Sequence, residues 1–381
     1  MSVFNSLIDQ SQVVEILKEA ITSANNSNDQ NQVMTNTWLF TGPAGSGRSN
    51  AAIAFAAALV CKESGCSKCN DCISTILGTH ADVELIKTQG LSIKIDEVRE
   101  LISRASWAPS VASYRVVVIE DADRLTESAA NALLKVIEEP GLRTIWLLCA
   151  PTLTDVLPTI RSRCRHLALR TPSTRAIINL LIERDHVDAK TAEFVARASG
   201  GHIGRARRLA TDLTARQNRE NVLKLPLMIK DVASAFKAAQ FLIDSAKTDA
   251  LADAERKDEY EILKLKEAWG TTDSKMASGS SKVIKELEKE QKARSTRMVR
   301  DYLDRALLDL ATLYRDIMLV QSNSTDSLIN QDLVEQINQL ASTSSQAKTL
   351  DRIEAILKTR RNLAQNAAPL LLIEALMCEL R

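Results

Sequence analysis

Several features that define common classes of protein are missing from this sequence of 381 residues. No run of about 18 or more apolar residues occurs, so the chain has no candidate transmembrane helix. The N-terminus has no basic segment followed by an apolar one, which argues against a secretion signal. The net charge is only +1 and aromatic residues make up 4%, which disfavours a protein that covers nucleic acid with a broad basic surface. We therefore expect a cytoplasmic protein with reduced cysteines.

Glycine and proline, the residues that most often end helices, are scarce in the C-terminal part of the chain. Of 12 glycines and 8 prolines, only Gly270, Gly279, Pro226 and Pro369 follow Gly204. This part is therefore predicted to be all α. Helical spacing places five apolar residues on one face of a predicted helix there: Leu303, Leu307, Leu310, Leu313 and Ile317. The charged stretch with Ser and Gly from 270 to 297 is interpreted as a mobile connection that runs into a solvated helix.

The N-terminal part alternates short apolar strands with helical patterns, which is typical of a parallel α/β sheet. Strands are predicted at 37–41, 114–121 and 144–150, and helices at 49–61 and 126–140. A small helical unit with a turn at SGGHIG is predicted from 173 to 209.

The stretch TGPAGSGRSN, from 41 to 50, has the spacing of a phosphate-binding loop with one departure. Gly42, Gly47 and Ser49 stand at fixed positions, Gly45 lies between them, and Arg48 replaces the usual Lys. In such a loop, glycines let backbone N–H groups approach phosphates, the Lys binds the β- and γ-phosphates, and the Ser hydroxyl binds Mg²⁺. A guanidinium is planar and larger than an ammonium, so Arg48 favours a site that does not hydrolyse ATP. ATP or ADP with Mg²⁺ is the ligand expected if the loop still binds nucleotide, and a glycine turn without a ligand is the alternative.

The predicted strand at 114–121 ends in Glu120 and Asp121, the reverse of the order found in ATPases. There, an Asp orients the Mg²⁺ shell and a following Glu activates water. Reversal moves a carboxylate by about one methylene, and a misplacement of about 1 Å can cost about 10²-fold in rate. Both departures argue against efficient hydrolysis, and a polar strand end without a catalytic role is the alternative for Glu120 and Asp121.

Four of the seven cysteines lie within one short segment, CKESGCSKCNDC: Cys61, Cys66, Cys69 and Cys72. Four thiols at this spacing can wrap one tetrahedral Zn²⁺, and Gly65 and Asn70 suit the turns between ligands. An iron–sulfur cluster is the alternative, but the spacing does not match that of bacterial ferredoxins. A closed site of four sulfurs has no open position for a substrate, so a structural role is predicted.

Two further groups of polar residues carry less specific signals. The stretch TIRSRCRHL contains three arginines: Arg161, Arg163 and Arg165. They either contact a phosphate or lie in a turn that faces solvent. Arg205, in GHIGRARRL, is predicted to lie at the start of a helix. Its side chain either reaches a nucleotide or serves only to solvate that helix. The histidines form no metal-binding spacing.

The order of these motifs resembles that of the clamp-loader family of AAA+ ATPases. NALLKVIEEP, from 131 to 140, and SRC, from 162 to 164, are the most specific stretches, and the four-Cys module matches bacterial clamp loaders in position. The resemblance implies an α/β AAA+ domain over 1–170 with the cysteine module at 61–72. It also implies a small helical lid domain over 171–212 and an all-α collar domain over 213–381.

The resemblance further implies a non-hydrolysing subunit that assists ATP-driven loading of a sliding clamp onto primer-template DNA. Arg163 would act in trans as an arginine finger on the ATP of a neighbouring motor subunit. Arg205 would stand where the family has its second sensor arginine, and the four cysteines would bind Zn²⁺. The C-terminal helices would join the collar of a hetero-pentamer at the replisome, and no intrinsic ATPase activity is expected.

Two other functions stay open at this point. One is an active AAA+ motor in which Arg48 substitutes for Lys, and basal ATPase activity of the isolated chain would distinguish it. The other is a standalone zinc-dependent nucleic-acid binder that uses the four-Cys module as a knuckle. The salt dependence of DNA binding by the isolated chain would test that function.

Overall fold

The computed structural model describes residues 2–25, 34–88, 90–141, 143–268, 280–324 and 328–381, with side chains described outside 255–290. The chain divides into two compact units. The first comprises Met1–Thr88 with Ser92–Ala210, and the second comprises Gln89–Leu91 with Thr211–Arg381. The predicted mobile connection falls largely outside the described residues, and the helix that was expected to follow it begins at Ser280.

The first unit contains a five-stranded sheet, the helices around it and a helical segment after it. In chain order its elements are α1 (Ser11–Asn25), β1 (Thr37–Thr41), α2 (Arg48–Val60), α3 (Asn70–Ile76), β2 (Val83–Ile86), α4 (Ile95–Ala105), β3 (Arg115–Ile119), α5 (Glu127–Glu138), β4 (Thr144–Ala150), α6 (Pro158–Arg161), β5 (Arg165–Ala168), α7 (Thr174–Glu183), α8 (Ala189–Ala198) and α9 (Ile203–Thr211). Short 3-10 turns lie at Val3–Ser6, Ala122–Arg124 and Leu153–Asp155.

All strand pairs in the sheet are parallel, in the order β2-β3-β4-β1-β5. The three central strands are buried along their whole length, as expected for a parallel sheet covered on both faces. Since β4 lies between β1 and β3, the loop after β1 and the carboxylates after β3 flank the carboxyl end of β4. Ligands of open α/β sheets bind at this edge.

Side chains that alternate along each central strand enter two different cores. Trp38 and Phe40 of β1 pack on the face covered by α1 and α2, while Leu39 between them packs on the face covered by α4 and α5. The same alternation places Val116 on the first face and Val117 on the second. This arrangement follows from the two-residue period of a strand, and it explains why the central strands are apolar throughout.

The second unit is entirely helical in the residues described. Its helices are α10 (Leu213–Met228), α11 (Val232–Ala268), α12 (Ser280–Gln321), α13 (Val334–Thr343), α14 (Gln346–Ala364) and α15 (Pro369–Glu379), with a 3-10 turn at Gln331–Leu333. The five residues predicted to share an apolar face of α12, from Leu303 to Ile317, are all buried in the core of this unit. The parallel α/β fold and the helical C-terminal region are therefore confirmed.

Sequence patterns missed two strands, β2 and β5, which are the two edges of the sheet. Both are only four residues long and are partly exposed, so neither has the continuous apolar run that identified the central strands. The predicted strand at 114–121 is shorter in the structure, since it ends at Ile119 and leaves Glu120 and Asp121 in the loop beyond. Among the described residues, no helix has the length and apolar character needed to cross a membrane.

Candidate functional site

The glycine loop joins β1 to α2, as its motif requires. Gly45 and Gly47 have φ angles of 89° and 86°, a region of backbone conformation that side chains rarely adopt. Gly47 is also the residue that caps the N-terminus of α2, which directs the positive end of that helix at the loop. The loop therefore turns through two glycine conformations into the N-terminus of α2, and Ser49 follows, half-buried, in the first turn of that helix.

Arg48 bonds to its own loop. Its Nη1 donates a hydrogen bond to the carbonyl oxygen of Gly42 at 2.8 Å, which closes the side chain over the turn. Its Nε is buried and has no hydrogen-bond acceptor among the residues described. A guanidinium held in this way occupies the interior of the loop, where a motif lysine would extend towards phosphate.

The turn before α9 lies directly on the glycine loop. A methyl group added to Gly45 would come within 2.5 Å of the Cα of His202 and 2.7 Å of its Cβ. The ring of His202 accepts a hydrogen bond through Nδ1 from the backbone N–H of Arg205 at 3.2 Å. Arg205, the predicted sensor, therefore lies in the first turn of α9, three residues after the one that covers Gly45. Sequence patterns did not identify His202, because its role depends on contact with a segment far away in the chain.

The carboxylates after β3 lie at the same edge of the sheet but differ in their surroundings. Glu120 is paired with Lys87, whose Nζ lies 3.4 Å from its Oε2, and Asp121 is buried. Asp123 was not predicted as a site residue. Burial raises the pKa of Asp123, and repulsion from Asp121 raises it further, while the positive charge of Arg48 opposes both effects. The positive charge of Arg48 thus acts on the third of these carboxylates, Asp123.

Cys149, near the end of β4, lies between the loop and these carboxylates. Its Sγ is 3.8 Å from the carbonyl oxygen of Arg48, and burial raises the pKa of this thiol well above its usual value. A neutral thiol here is inert packing, so the cysteine supplies no nucleophile.

Arg163 follows α6, outside the glycine loop and at the surface. Its Nη1 donates to the carbonyl oxygen of Thr159 at 2.9 Å and to the Oγ of Ser162 at 3.2 Å. Its Nη2 lies 2.7 Å from Oε1 of Glu138, the last residue of α5, and the two side chains are 41% and 48% exposed. The motif SRC therefore presents one arginine at the surface in a defined orientation.

The four clustered cysteines converge between α2 and α3. Their Sγ atoms all lie within 4.8 Å of one another, with Cys61 3.8 Å from Cys66 and 3.6 Å from Cys69. Sulfurs around a tetrahedral Zn²⁺ with Zn–S bonds of about 2.3 Å lie about 3.8 Å apart, so the spacing fits this ion. The predicted ligand set, completed by Cys72, is thus brought together by the fold.

Backbone turns in the cysteine module direct N–H groups at the sulfurs. Glu63 N–H donates to Cys61 Sγ at 3.4 Å, and Cys69 N–H donates to Cys66 Sγ at 3.3 Å. Burial opposes ionisation of Cys61, but backbone N–H donors outweigh it and lower the pKa of this thiol to about 7. A thiolate is the form that binds a metal ion.

The turns themselves differ in part from those predicted. Gly65 has a φ of 98° and lies in a turn, as expected, but Asn70 is the first residue of α3. The other residues with positive φ in the module are Ser64 and Ser67. Asn70 suited a turn by residue type alone, whereas in the structure Cys69 caps α3 and Asn70 begins it.

Comparisons with known proteins agree with the motif pattern. The family described as "DNA polymerase III, delta subunit" matches residues 16–173, and "DNA polymerase III, delta subunit, C terminal" matches residues 283–381. The chain is 27% identical to the DNA polymerase III subunit delta' of Bacillus subtilis over 339 residues, which are 87% of each chain. It is 30% identical to the subunit delta' of Pseudomonas aeruginosa over 210 residues, 53% of this chain and 64% of that one.

Similarity extends to gamma/tau subunits and to solved structures. The DNA polymerase III subunit gamma/tau of Mycobacterium tuberculosis is 33% identical over 178 residues, which are 44% of this chain and 31% of that one. A gamma-subunit-related protein of Thermotoga maritima is 18% identical, with a TM-score of 0.37 over 92% of this chain and 99% of that one. The RuvB Holliday junction branch migration motor of Thermotoga maritima is 17% identical, with a TM-score of 0.39 over 62% of this chain and 71% of that one.

Proposed function

The chain belongs to the family of DNA polymerase III clamp-loader subunits of the delta' type, and from this premise we propose that it serves in that complex without hydrolysing ATP itself. It would assist ATP-driven loading of the sliding clamp onto primed DNA. Its own contribution to hydrolysis would be made on a neighbouring subunit.

The first half of this proposal is that the chain does not hydrolyse ATP. The main support for it is the hydrogen bond from Arg48 to the carbonyl oxygen of Gly42, at 2.8 Å. The cation of a phosphate loop stabilises the β- and γ-phosphates only if it projects from the loop. Here the guanidinium is held by the loop and its charge acts on Asp123, so the site is partly neutralised by its own chain. To contact a nucleotide, Arg48 would have to leave these partners.

The carboxylates support the same conclusion. Glu120, at the position where a motor has the Asp that orients Mg²⁺, is engaged by Lys87. Asp121 would have to activate water although its carboxylate is about one methylene shorter than that of a Glu. Since misplacements of about 1 Å can cost about 10²-fold, these departures favour a site with little or no turnover.

Arg163 supports the second half of the proposal, an arginine finger that acts in trans. It is half-exposed, and its guanidinium is bound to the Thr159 carbonyl oxygen and to Glu138. An arginine supplied to the transition state of phosphoryl transfer is worth about 10³–10⁵ in kcat in related enzymes. Removal of Arg163 should therefore slow the ATPase of the assembled complex, although this chain has no turnover of its own.

We further propose that the cysteine cluster binds one structural Zn²⁺. The sulfur spacing suits this ion, and the four ligands leave no open coordination position. The ion would hold α3 against the end of α2.

The remaining assignments follow from family membership. Residues 171–212 would form the lid and residues 213–381 the collar by which the chain joins gamma/tau and delta subunits in a hetero-pentamer. Arg205 would stand in a sensor position that no longer responds to nucleotide. The partners of the complex would be the sliding clamp and primer-template DNA, in the cytoplasm.

A second candidate function is that of an ATP-hydrolysing motor subunit. The backbone of the glycine loop favours it, because Gly45 and Gly47 keep the conformation that a phosphate requires. In that case Arg48 would release Gly42 and contact the phosphates when ATP arrives.

Titration of the purified chain with fluorescent ATP and ADP in the presence of Mg²⁺ distinguishes these functions. We expect no saturable binding by the native chain and measurable binding by the Arg48→Lys variant, whose ammonium can reach the phosphates. Arg99→Lys, at an exposed position of α4, is the matched control and should behave as the native chain does. Saturable binding with turnover by the native chain would overturn the non-hydrolysing assignment.

A further inference from the structure

The surface arginine of the SRC motif is held by three groups of its own chain. Thr159 and Ser162 engage Nη1, and the carboxylate of Glu138 engages Nη2 at 2.7 Å. Ser162 is itself fixed, since its hydroxyl donates to the Thr159 carbonyl oxygen at 3.1 Å. Of the five N–H donors of a guanidinium, these contacts use three, and two remain for another ligand.

Glu138 is not explained by the helix that contains it. It is the last residue of α5, and the negative end of the helix dipole disfavours an anion in the last turn. Its side chain is 48% exposed, so burial of the side chain does not explain its position either. What its position does provide is an acceptor for Arg163, on an element separate from the turn that carries the arginine.

We propose that Glu138 is a positioning residue that presets the side chain of Arg163 for the phosphates of ATP bound to a neighbouring subunit. This inference rests on the proposed function, in which Arg163 acts in trans. Arginine has many rotamers, and ordering it at the moment of contact opposes binding. Glu138 and Thr159 hold the guanidinium from two sides, so that much of this ordering is complete before the subunits meet.

The strength of the pair suits such a role. An ion pair between half-exposed side chains is weak in water, so the carboxylate orients the arginine without trapping it. Triphosphate carries several negative charges and three terminal oxygens, which can accept from the two N–H donors that remain. Glu138 therefore sets the geometry of Arg163 in the free chain and leaves donors for the ligand.

The test uses the clamp-loader complex reconstituted from full-length chains, with sliding clamp, primed DNA and ATP. The Arg163-dependent rate is the difference between ATP hydrolysis by the native complex and by one that contains Arg163→Ala. We expect Glu138→Gln to lower the kcat of this component about two- to fivefold and to leave KM for ATP unchanged. Glu138→Asp, which keeps the charge, should recover part of the loss.

Glu139→Gln is the matched control, because Glu139 is the next residue, is exposed and makes no ion pair among the residues described. It should leave the Arg163-dependent rate unchanged. The double variant Glu138→Gln/Arg163→Ala should be no slower than Arg163→Ala alone, since Glu138 acts through the arginine. Thermal unfolding of each variant chain separates these effects from a loss of folded protein.

The outcomes are distinguishable. If Arg163→Ala does not change the rate, the trans arginine of the proposed function is wrong. If Arg163→Ala slows hydrolysis but Glu138→Gln behaves like Glu139→Gln, the positioning role alone is wrong. A faster rate with Glu138→Gln would also contradict it, because Glu138 would then restrain Arg163.

Discussion

Gly45 and Gly47 have nearly the same backbone conformation, with φ angles of 89° and 86°, but different surroundings. Around Gly47, no atom of the described residues, its two chain neighbours aside, lies within 4 Å of the position that a side chain would begin to fill. At Gly45 the same position is occupied by His202, from the turn before α9. Gly47 is therefore required by its backbone conformation alone. Gly45 is required both by its conformation and by its contact with the turn before α9.

We expect Gly47→Ala to lower the free energy of unfolding by about 1–2 kcal/mol, the cost of a side chain at left-handed φ. Gly45→Ala should cost about 1–3 kcal/mol more, because His202 must also move. Urea unfolding followed by fluorescence of the buried Trp38 and Trp146 would measure both losses. Equal losses in the free energy of unfolding for the two variants would show that the turn before α9 does not contact Gly45 in solution.

Arg48 and Arg163 are the same residue type with different partners. Arg48 donates to a carbonyl group of its own loop, whereas Arg163 lies 41% exposed beside Glu138. A motif search finds both arginines, but it cannot tell which one is available to a partner. The difference arises from their neighbours in space, so the roles assigned to them depend on the fold.

At the scale of the element, the cysteine module consists of the end of α2, two tight turns and the short helix α3. Its seven-residue helix is too short to be stable alone, and its sulfurs lie close enough to repel one another when ionised. A bound cation would remove this repulsion and join both helices.

We expect the purified chain to contain about one Zn²⁺, and a chelator to remove it with a loss of at least about 3 kcal/mol in the free energy of unfolding. Cys69→Ser should cause a similar loss and abolish metal content. Cys378→Ser is the matched control, since Cys378 lies in the helical second unit, outside the cluster. Native content of zinc in Cys69→Ser would contradict the ligand set.

A second element-scale feature is the loop between α4 and β3, which is fastened by one carboxylate. Asp82 is fully buried and accepts hydrogen bonds from the backbone N–H groups of Ser110, Val111 and Ala112, at 2.6, 2.7 and 2.8 Å. Burial tends to raise the pKa of Asp82, but these donors outweigh it and lower the pKa below its ordinary value.

Because the folded-state pKa of Asp82 is lowered, its contribution to stability is fully present above the unfolded-state pKa of about 3.9. That contribution is lost as the pH falls through the lower folded-state value. Asp82→Asn should therefore cost about 2–3 kcal/mol at pH 7 and progressively less below about pH 4. Unfolding by urea across this pH range measures the difference, with the exposed Asp96→Asn on α4 as control. A difference between Asp82→Asn and the native chain that is independent of pH would contradict this account.

At the scale of the whole molecule, the two units bury their apolar residues in different ways. The first unit buries both faces of a parallel sheet, which divides its apolar residues between two cores. The second unit buries one core among helices, centred on residues such as Leu307 and Tyr314 of α12. Both periodicities are visible in the sequence, and so the class of each unit was predictable without the structure.

The sequence by itself determined those features that depend on neighbouring residues. The central strands, the glycine loop between a strand and a helix, the four-Cys spacing and the buried stripe of α12 all follow from local pattern, and the structure agrees with them. The edge strands β2 and β5 were missed because a short, half-exposed strand has little apolar pattern of its own.

Only the tertiary structure decided which distant groups meet. The contacts of Gly45 with His202, of Glu120 with Lys87 and of Arg163 with Glu138 each join segments that are separate in sequence. No periodicity or motif encodes such pairs. The strand order brings the loops of the first two pairs to the carboxyl edge of the sheet, whereas Glu138 and Arg163 precede β4 and β5 and lie at the opposite edge. Whether Arg48 extends towards a ligand or bonds to its own loop is decided in the same way, by the space and the acceptors that the folded chain leaves around it.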